Sequence, residues 1–309
     1  HFEWQRKEML PAKLKKGDTI GIVSPSSPVS EERVKQAKEA LQNLGFQVKL
    51  SDNHAVSKGG YMAGEESVRG QWINRMFADP EVDAVICMRG GDGGNRVMDY
   101  IDVETIRNNP KIFMGYSDIT SLHLLFNQEC DLVTFHGPMV SSNIIDKFDP
   151  ETEAAFFASL TEKTYEYKAP KGMEVGVGRA GKAEGQMIGG NLTVLCNSIG
   201  TPYEIDTKGK ILFIEEIGAH IGNFDRNIYQ LRNSGKLKEA AGILLGQFTN
   251  FRYDEEDYNT VNVILEATEG LDIPVMYNIQ SGHGTPMISL PMHAVCKMDT
   301  ETKTIAFDL

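Results

Sequence analysis

The N-terminal half of the chain alternates short apolar runs with segments of helical periodicity, and this alternation limits the fold more than any other feature. The apolar runs predict strands at residues 19–23, 46–50 and 84–88. Apolar positions at helical spacing predict a helix over residues 31–44, capped by Ser30 and stopped by Gly45, and a second helix that ends at Asp79. This alternation favours a parallel sheet covered by helices on both faces. Ligands of such sheets gather at the carboxyl ends of the strands.

A stretch interrupted by glycines and a proline, around residues 163–182, separates this pattern from the rest of the chain. The part that follows is richer in predicted strands, at residues 185–190, 210–217, 242–246 and 294–298. We therefore predict an N-terminal α/β domain over residues 1–165 and a C-terminal β-rich domain over residues 180–309.

Ser117 lies at the corner between an apolar run that ends at Gly115 and a helix that begins directly after it. A corner of this kind lifts a serine hydroxyl above the sheet edge and points free backbone N–H groups at its target, as in a nucleophile elbow. Ile119 stands where that motif has a second glycine, and a serine before a helix is more commonly an N-cap. The segment alone leaves both roles open.

Carboxylates and histidines follow later strand-like runs. Glu215 and Glu216 end one such run, and His283 lies between two glycines after another. Serine, acid and histidine at successive strand ends is the order of hydrolases in which the imidazole takes the serine proton and the carboxylate orients the imidazole. His136 also follows a strand-like segment and is a rival base, and a pair of acids at a strand end often simply faces water.

The segment 89–96 is a glycine-rich loop after a predicted strand. It lacks the Lys-Ser/Thr pair that ends a P-loop, and its glycines do not have the spacing of the dinucleotide-binding fingerprint. A flexible turn is one interpretation. We prefer an oxyanion hole, in which the backbone N–H groups of Gly90 and Gly91, together with that of Asp118, stabilise a developing negative charge.

Several segments, in the right order from about Leu14 to the C-terminus, resemble the LD-carboxypeptidase family of serine peptidases, which act on murein peptides and include the microcin-C immunity peptidases. The segments are 17–28 (GDTIGIVSPSSP), 89–91 (RGG), 115–118 (GYSD), 188–192 (IGGNL), 212–216 (LFIEE) and 282–291, with its Gly-His, Pro and Leu-Pro. The resemblance implies that Ser117 is the nucleophile, Glu215 the acid and His283 the base. The family usually has Glu-Asp at the acid pair, and Glu216 stands here in the place of the Asp.

The resemblance also implies a fold and a reaction. The expected fold is α/β, with a flavodoxin-like, doubly wound parallel sheet domain and a β-rich, swivelling-barrel-like domain, and the triad assembled between them. The expected reaction needs no cofactor and no metal: hydrolysis of the LD bond that releases terminal D-alanine from murein tetrapeptides, in the recycling of cell-wall peptides. We expect a homodimer whose substrate is a small peptide.

Two alternatives remain open. A microcin-C immunity-type peptidase would cut peptidyl nucleotides and is expected to carry an aromatic platform, whereas the two tryptophans, Trp4 and Trp72, lie away from the motifs. A non-catalytic two-domain ligand-binding protein has no need of serine, acid and histidine at three strand ends.

For the terminal carboxylate of a peptide, the candidate partners are Arg89, Arg96 and Arg226. A guanidinium fork matches the geometry of a carboxylate.

Charge and cysteine content exclude other classes. The net charge of −12 disfavours nucleic acid and anionic membrane surfaces as partners. The four cysteines are far apart and lie mostly in apolar runs, which indicates free thiols in a reducing compartment rather than zinc ligands or disulfides. The sequence shows neither a long apolar run nor a signal-peptide pattern, and we expect a cytoplasmic protein.

Overall fold

Two β-sheets organise the residues that the computed structural model describes, 8–309. The strands are β1 (Thr19–Val23), β2 (Gln47–Leu50), β3 (Ala84–Cys87), β4 (Ile112–Gly115), β5 (Thr134–His136), β6 (Thr164–Glu166), β7 (Gly176–Arg179), β8 (Lys182–Asn191), β9 (Ile211–Ile217), β10 (Gly242–Thr249), β11 (Val275–Tyr277), β12 (Leu290–Met292), β13 (Val295–Asp299) and β14 (Thr304–Asp308). The α-helices are α1 (Glu31–Asn43), α2 (Glu66–Ala78), α3 (Val103–Asn108), α4 (Thr120–Glu129), α5 (Pro150–Thr161), α6 (Leu192–Ser198), α7 (Ile221–Asn233), α8 (Lys236–Glu239) and α9 (Thr260–Ala267). Turns of 3₁₀-helix span Gly94–Arg96, Met98–Tyr100 and Ser117–Ile119, and a π-helix spans Val140–Ile144.

The first sheet has the strand order β12-β5-β4-β3-β1-β2. Strands β1 to β5 are parallel to their neighbours, and β12 adds an antiparallel edge beside β5. The parallel part has the order 2-1-3-4-5, which is that of flavodoxin-like sheets. Helices α1 and α5 contribute to the core on one face, and α2, α3 and α4 to the core on the other. The predicted doubly wound α/β domain is confirmed.

The second sheet has the order β6-β14-β13-β8-β9-β10-β11-β7. Its centre, β8 to β11, is parallel, and its flanks are antiparallel. The β-rich character expected of the C-terminal part is confirmed. Helices α6, α7 and α9 pack on one face of this sheet.

The opposite face of the second sheet shares a single hydrophobic cluster with the first. Ile22 and Met114 of the first sheet belong to the same buried cluster as Phe213 and Leu244 of the second. Strand β12 strengthens the link, because it follows the second sheet's central strands in the chain yet pairs with β5. The sheets are therefore packed against each other, with the carboxyl ends of β4 and β9 contributing residues to one region.

The first helix shows how local sequence sets these elements. The Ser30 hydroxyl accepts a hydrogen bond from the Arg33 backbone N–H at 3.1 Å, and Gly45 after the helix has a φ of 97°. Both are standard helix boundaries, because the hydroxyl satisfies a free N–H and glycine adopts the left-handed region without strain. The predicted start and stop of this helix are confirmed.

The cysteines within the described range are all free and buried, in agreement with the predicted thiols. No helix in residues 8–309 combines the length and the apolar character needed to cross a membrane.

Candidate active site

Ser117 lies two residues after the end of β4 and has a φ of 64°, in the left-handed region that residues other than glycine rarely adopt. It begins the 3₁₀ turn that leads into α4, and the N-cap position of α4 is Ile119. Ser117 therefore does not occupy the N-cap position of either helix, and the capping interpretation of Ser117 is wrong. Strained backbone at a strand-to-helix corner is the geometry of a nucleophile elbow.

His283 and Glu215 form a hydrogen-bonded pair beside this corner. His283 Nδ1 lies 2.8 Å from Glu215 Oε2, and the side chains are 14% and 0% exposed. A carboxylate only accepts, so Nδ1 carries the hydrogen and Nε2 keeps its lone pair. The ring of Tyr116, the residue before Ser117, stands edge-on to the His283 ring at a centroid distance of 5.3 Å. The imidazole of the pair is therefore next to the elbow.

The pair is electrostatically coupled. Burial alone would lower the pKa of His283, but the hydrogen bond and charge of Glu215 outweigh it and raise this pKa above its ordinary value. Burial raises the pKa of Glu215, and the hydrogen bond with His283 opposes that rise. A neutral imidazole whose proton affinity is increased by a buried carboxylate is well suited to act as a general base.

A β-bulge in β10 and two glycines, Gly246 and Gly282, orient Glu215 and the loop of His283 towards each other. The pairing of β9 with β10 shifts between Ile214 and Glu216, so that Gly246 and Gln247 both lie opposite Glu215. The Gln247 backbone N–H then donates to the Ser281 carbonyl at 3.1 Å and holds the loop of His283 against the bulge.

Only glycine fits where that loop crosses the sheet. A Cβ on Gly246 would lie 2.5 Å from the Ser281 carbonyl oxygen, and Gly282 has a φ of 147°. These close contacts set the position of His283 over the strands.

Glu216 has different partners from its neighbour. Its Oε2 accepts from the backbone N–H and the hydroxyl of Thr193 at 2.9 and 2.6 Å, and its Oε1 accepts from Asn191 Nδ2 at 2.8 Å. Asn191 Nδ2 also lies 3.5 Å from Glu215 Oε1, and Asn191 Oδ1 caps α6 through Val194 N–H at 3.3 Å. Glu216 therefore fixes the start of α6 and the amide that touches Glu215. Sequence reasoning assigned no role to Asn191, and its place directly before an apolar helical run was the available signal.

The glycine-rich loop lies against the elbow. A Cβ on Gly90 would be 3.3 Å from Ser117 Oγ, and a Cβ on Gly91 would be 2.0 Å from Ser27 Oγ. The Asp118 carboxylate accepts from the Gly94 N–H at 2.7 Å. Burial raises the pKa of Asp118. The structure thus places Gly90 beside Ser117, and the rest of the loop lies against Ser27 and the Asp118 side chain.

His136, the alternative candidate for the base, lies in a different environment from His283. His136, at the end of β5, is fully buried, and its ring packs edge-on against Phe213 at 5.1 Å. Burial lowers its pKa well below the ordinary value. Such a histidine stays neutral and has no access for a substrate.

The proposed carboxylate partners are not brought together. Arg89 is partly exposed next to the glycine loop and donates to the Pro28 carbonyl at 3.3 Å. Arg226 is exposed on α7 and lines a separate cavity with His220 and Asp254. Of these two arginines, Arg89 is the one that lies beside the glycine-rich loop next to Ser117.

A serine at a strained elbow, with a buried histidine–carboxylate pair beside it and glycine backbone against its hydroxyl, is an arrangement typical of α/β hydrolytic enzymes. The LD-carboxypeptidase N-terminal domain matches residues 20–137, and the LD-carboxypeptidase C-terminal domain matches residues 184–298. The chain belongs to the LD-carboxypeptidase family and is a peptidase. The resemblance found in the sequence motifs is confirmed.

Similar proteins extend over nearly the whole chain. A probable murein peptide carboxypeptidase of Bacillus subtilis is 40% identical, covering 96% of this chain and 94% of its own length. The microcin C7 self-immunity protein MccF of Escherichia coli is 28% identical, covering 98% and 96%.

Solved structures agree with this assignment. MccF in complex with aspartyl sulfamoyl adenosine superposes with a TM-score of 0.91 at 27% identity, covering 97% of this chain and 98% of that one. A muramoyltetrapeptide carboxypeptidase from Oxalobacter formigenes gives a TM-score of 0.82 at 26% identity, covering 94% and 98%.

Proposed function

We propose that this peptidase is a serine carboxypeptidase that cleaves the LD bond of murein tetrapeptides and releases their terminal D-alanine. The observation that carries the proposal is the 2.8 Å contact between His283 Nδ1 and Glu215 Oε2, beside the strained Ser117. The murein substrate is supported by the 40% identity to a probable murein peptide carboxypeptidase.

In the proposed reaction, His283 Nε2 takes the proton of Ser117 as its Oγ attacks the carbonyl carbon of the scissile bond. The C–N bond then breaks, and the imidazolium gives its proton to the departing amine of D-alanine. A water molecule, deprotonated by the same imidazole, hydrolyses the acyl-enzyme and restores the serine. Glu215 holds the tautomer and stabilises the imidazolium in both halves.

The oxyanion formed in each half would accept hydrogen bonds from backbone N–H groups of Gly90, Gly91 and Asp118. Support comes from the glycine loop, which lies close enough to Ser117 that a Cβ on Gly90 would contact its Oγ at 3.3 Å. Backbone donors of this kind are worth about 3 kcal/mol each in the transition state.

The test is hydrolysis of murein tri-, tetra- and pentapeptides, with release of free D-alanine followed by mass. We expect the tetrapeptide alone to lose one D-alanine, and Ser117→Ala to lower turnover by about a million-fold, as triad knockouts do. An unchanged rate in folded Ser117→Ala would refute the serine mechanism. Wild-type protein that cleaves none of the three peptides would refute the substrate.

Two histidine variants identify the base. His283→Ala should be as inactive as Ser117→Ala, because the serine hydroxyl stays protonated without a base. His136→Ala should keep substantial activity, because His136 is buried away from solvent. The reverse result would identify His136, on the first sheet, as the base.

A microcin-C immunity-type activity is the second candidate, and the TM-score of 0.91 to MccF is the observation that favours it. A peptidyl nucleotide analogue, offered in the same assay, separates the two candidates. The Trp72 ring is covered by the Arg75 guanidinium, and its N–H donates to Asp52, which argues against its use as a nucleotide platform. Trp4 lies outside the described residues.

The domain boundary, the homodimer and the cytoplasmic location stay predictions of the sequence. Limited proteolysis around residues 165–180 and light scattering coupled to gel filtration test the first two. Cell fractionation tests the third.

A further inference from the structure

Arg69, on α2, is a large charged side chain in the core of the protein, with 1% of its surface exposed. Arginine is almost never buried to this extent unless its donors are satisfied, because removing a guanidinium from water is energetically unfavourable. Burial lowers the pKa of Arg69 from its usual value. A role for this residue must account for that cost.

The guanidinium is satisfied by backbone rather than by a paired carboxylate. Its Nε donates to the Gly64 carbonyl at 3.0 Å, and its Nη1 donates to the carbonyls of Pro25 at 2.6 Å and Gly93 at 2.8 Å. Its Nη2 lies 3.4 Å from the sulfur of Met62. One side chain thus joins the loop after β1, the segment before α2 and the glycine-rich loop after β3.

Two of these segments also meet the residue after the candidate nucleophile. Gly94 donates its N–H to Asp118 Oδ2 at 2.7 Å, and the Ser26 hydroxyl donates to the same oxygen at 2.6 Å. The glycine loop is therefore held from one side by Arg69, through Gly93, and from the other by the Asp118 carboxylate, through Gly94.

The other end of the glycine loop is the end that touches the elbow. Ser27 N–H donates to the Gly90 carbonyl at 3.3 Å, and Asp92 N–H donates to the Ser27 hydroxyl at 3.1 Å. A movement of the loop at Gly93 would therefore be transmitted to Gly90, next to Ser117. A donor must lie within a few tenths of an ångström of its position to stabilise an oxyanion, since such bonds act at 2.7–3.1 Å.

We propose that Arg69 is a positioning residue which, together with the side chain of Asp118, clamps the glycine-rich loop at the distance from Ser117 that the reaction requires. The proposal rests on the proposed serine mechanism and adds a role for a side chain that does not touch substrate. Arginine is required because its planar fork offers donors in several fixed directions, whereas the single ammonium of lysine cannot reach carbonyls on three segments.

The test compares Arg69→Lys with Arg75→Lys, which alters an exposed arginine on the same helix whose guanidinium stacks over Trp72. Two rates are measured well below the melting temperature: phosphonylation of Ser117 by an alkyl fluorophosphonate, and hydrolysis of the murein tetrapeptide. We expect Arg69→Lys to lower kcat and the phosphonylation rate by about 30-fold or more, below the 10²–10³-fold cost of losing one oxyanion donor outright. KM should change by less than about threefold, and Arg75→Lys should change all values by less than about twofold.

A loss confined to KM, or rates in folded Arg69→Lys equal to those of Arg75→Lys, would overturn the proposal. If Arg69→Lys does not fold, Asp118→Ala decides, because it removes the second anchor of the loop and leaves the guanidinium in place. The same fall in phosphonylation rate supports the clamp, and an unchanged rate overturns it.

The two assays distinguish an error in the proposed role of Arg69 from an error in the proposed function. Wild-type protein that is phosphonylated but cleaves no murein peptide refutes the substrate alone, and the phosphonylation rates still decide on Arg69. Wild-type protein inert towards both reagents overturns the clamp together with the serine mechanism.

Discussion

At the scale of single residues, the His283–Glu215 pair sets the pH dependence of the proposed reaction. The base must be neutral, and the Glu215 carboxylate raises the pKa of His283. The acid limb of kcat/KM should therefore lie above about pH 6.5, the ordinary imidazole value, with activity rising as pH increases through it. A rate profile between pH 5 and 9 on the tetrapeptide checks this, and a limb below 6.5 would contradict it.

Removing the charge of Glu215 should lower the same pKa. In Glu215→Gln burial remains while the carboxylate is lost, so the NMR titration of His283 should move to lower pH than in the wild type. Asp254→Asn is the control, since it removes the carboxylate 2.9 Å from a different imidazole, that of His220. A shift of the His283 titration in the control, or none in Glu215→Gln, would count against the pairing.

Substitution of Glu215 and of Glu216 should lower the hydrolytic activity to different extents. Glu215→Gln removes the charge that stabilises protonated His283, and an amide there can hold the wrong tautomer, which costs about ten-thousand-fold in a comparable serine enzyme. Glu216 binds Thr193 and Asn191 instead, so Glu216→Gln should retain at least about a hundred-fold more activity, a margin set well below that penalty. Steady-state rates on the tetrapeptide compare the two. Equal losses would mean that the pair acts together.

Sequence reasoning reached the members of this site but not their geometry. On the segment alone a cap was the commoner interpretation of Ser117, because its φ of 64° depends on the turn and is invisible in residue type. The family resemblance implied the role of nucleophile. Strand position alone did not choose between His283 and His136, since each follows a strand, and the family resemblance assigned the base to His283. The difference is tertiary: Leu290 of β12 pairs with His136 and helps to bury it.

At the scale of elements, the end of β8 shows how closely the backbones of the neighbouring strands β8 and β9 approach each other. A Cβ on Gly189 would lie 1.9 Å from the Phe213 carbonyl oxygen, at a φ of 136° that side chains rarely adopt. Gly209→Ala is the matched control, with a φ of 68° and open space around it.

We expect Gly189→Ala to lower the free energy of unfolding by about 3 kcal/mol or more, since backbone strain and overpacking each cost about 1–3 kcal/mol. Gly209→Ala should cost about 1 kcal/mol, the penalty of the left-handed region alone. Urea unfolding measures both. Similar losses would mean that β8 can shift away from β9.

The periodicity of the sequence predicted the regular strands and helices but not the β-bulge or the π-helix. Strand β1 and helix α1 begin where the pattern predicts, because apolar alternation and capping are local signals. The β10 bulge opposite Glu215 and the π-helix Val140–Ile144 are set by packing between distant segments. Both lie near the site, where local rules are most often broken for function.

At the scale of the whole molecule, the shared core predicts that the two sheets unfold together. Ile22, Met114, Phe213 and Leu244 belong to one buried cluster, and β12 pairs with the first sheet. A domain boundary read from composition alone does not reveal this coupling, because the contacts join segments that are far apart in the chain.

The coupling can be tested with a core substitution in one sheet and a probe on the other. Leu245 of β10 is fully buried on the outer face of the second sheet, and Leu245→Ala should cost about 2–5 kcal/mol. In a Trp4→Phe background, Trp72 on α2 is the single tryptophan and reports on the first sheet's side of the molecule. We expect urea midpoints from Trp72 fluorescence and from far-UV circular dichroism to fall together, by the same amount. A Trp72 transition that stays at its original midpoint while the circular dichroism splits into two steps would show that each sheet unfolds on its own. The shared cluster would then contribute little to holding Ser117, after β4, and Glu215, on β9, in one site.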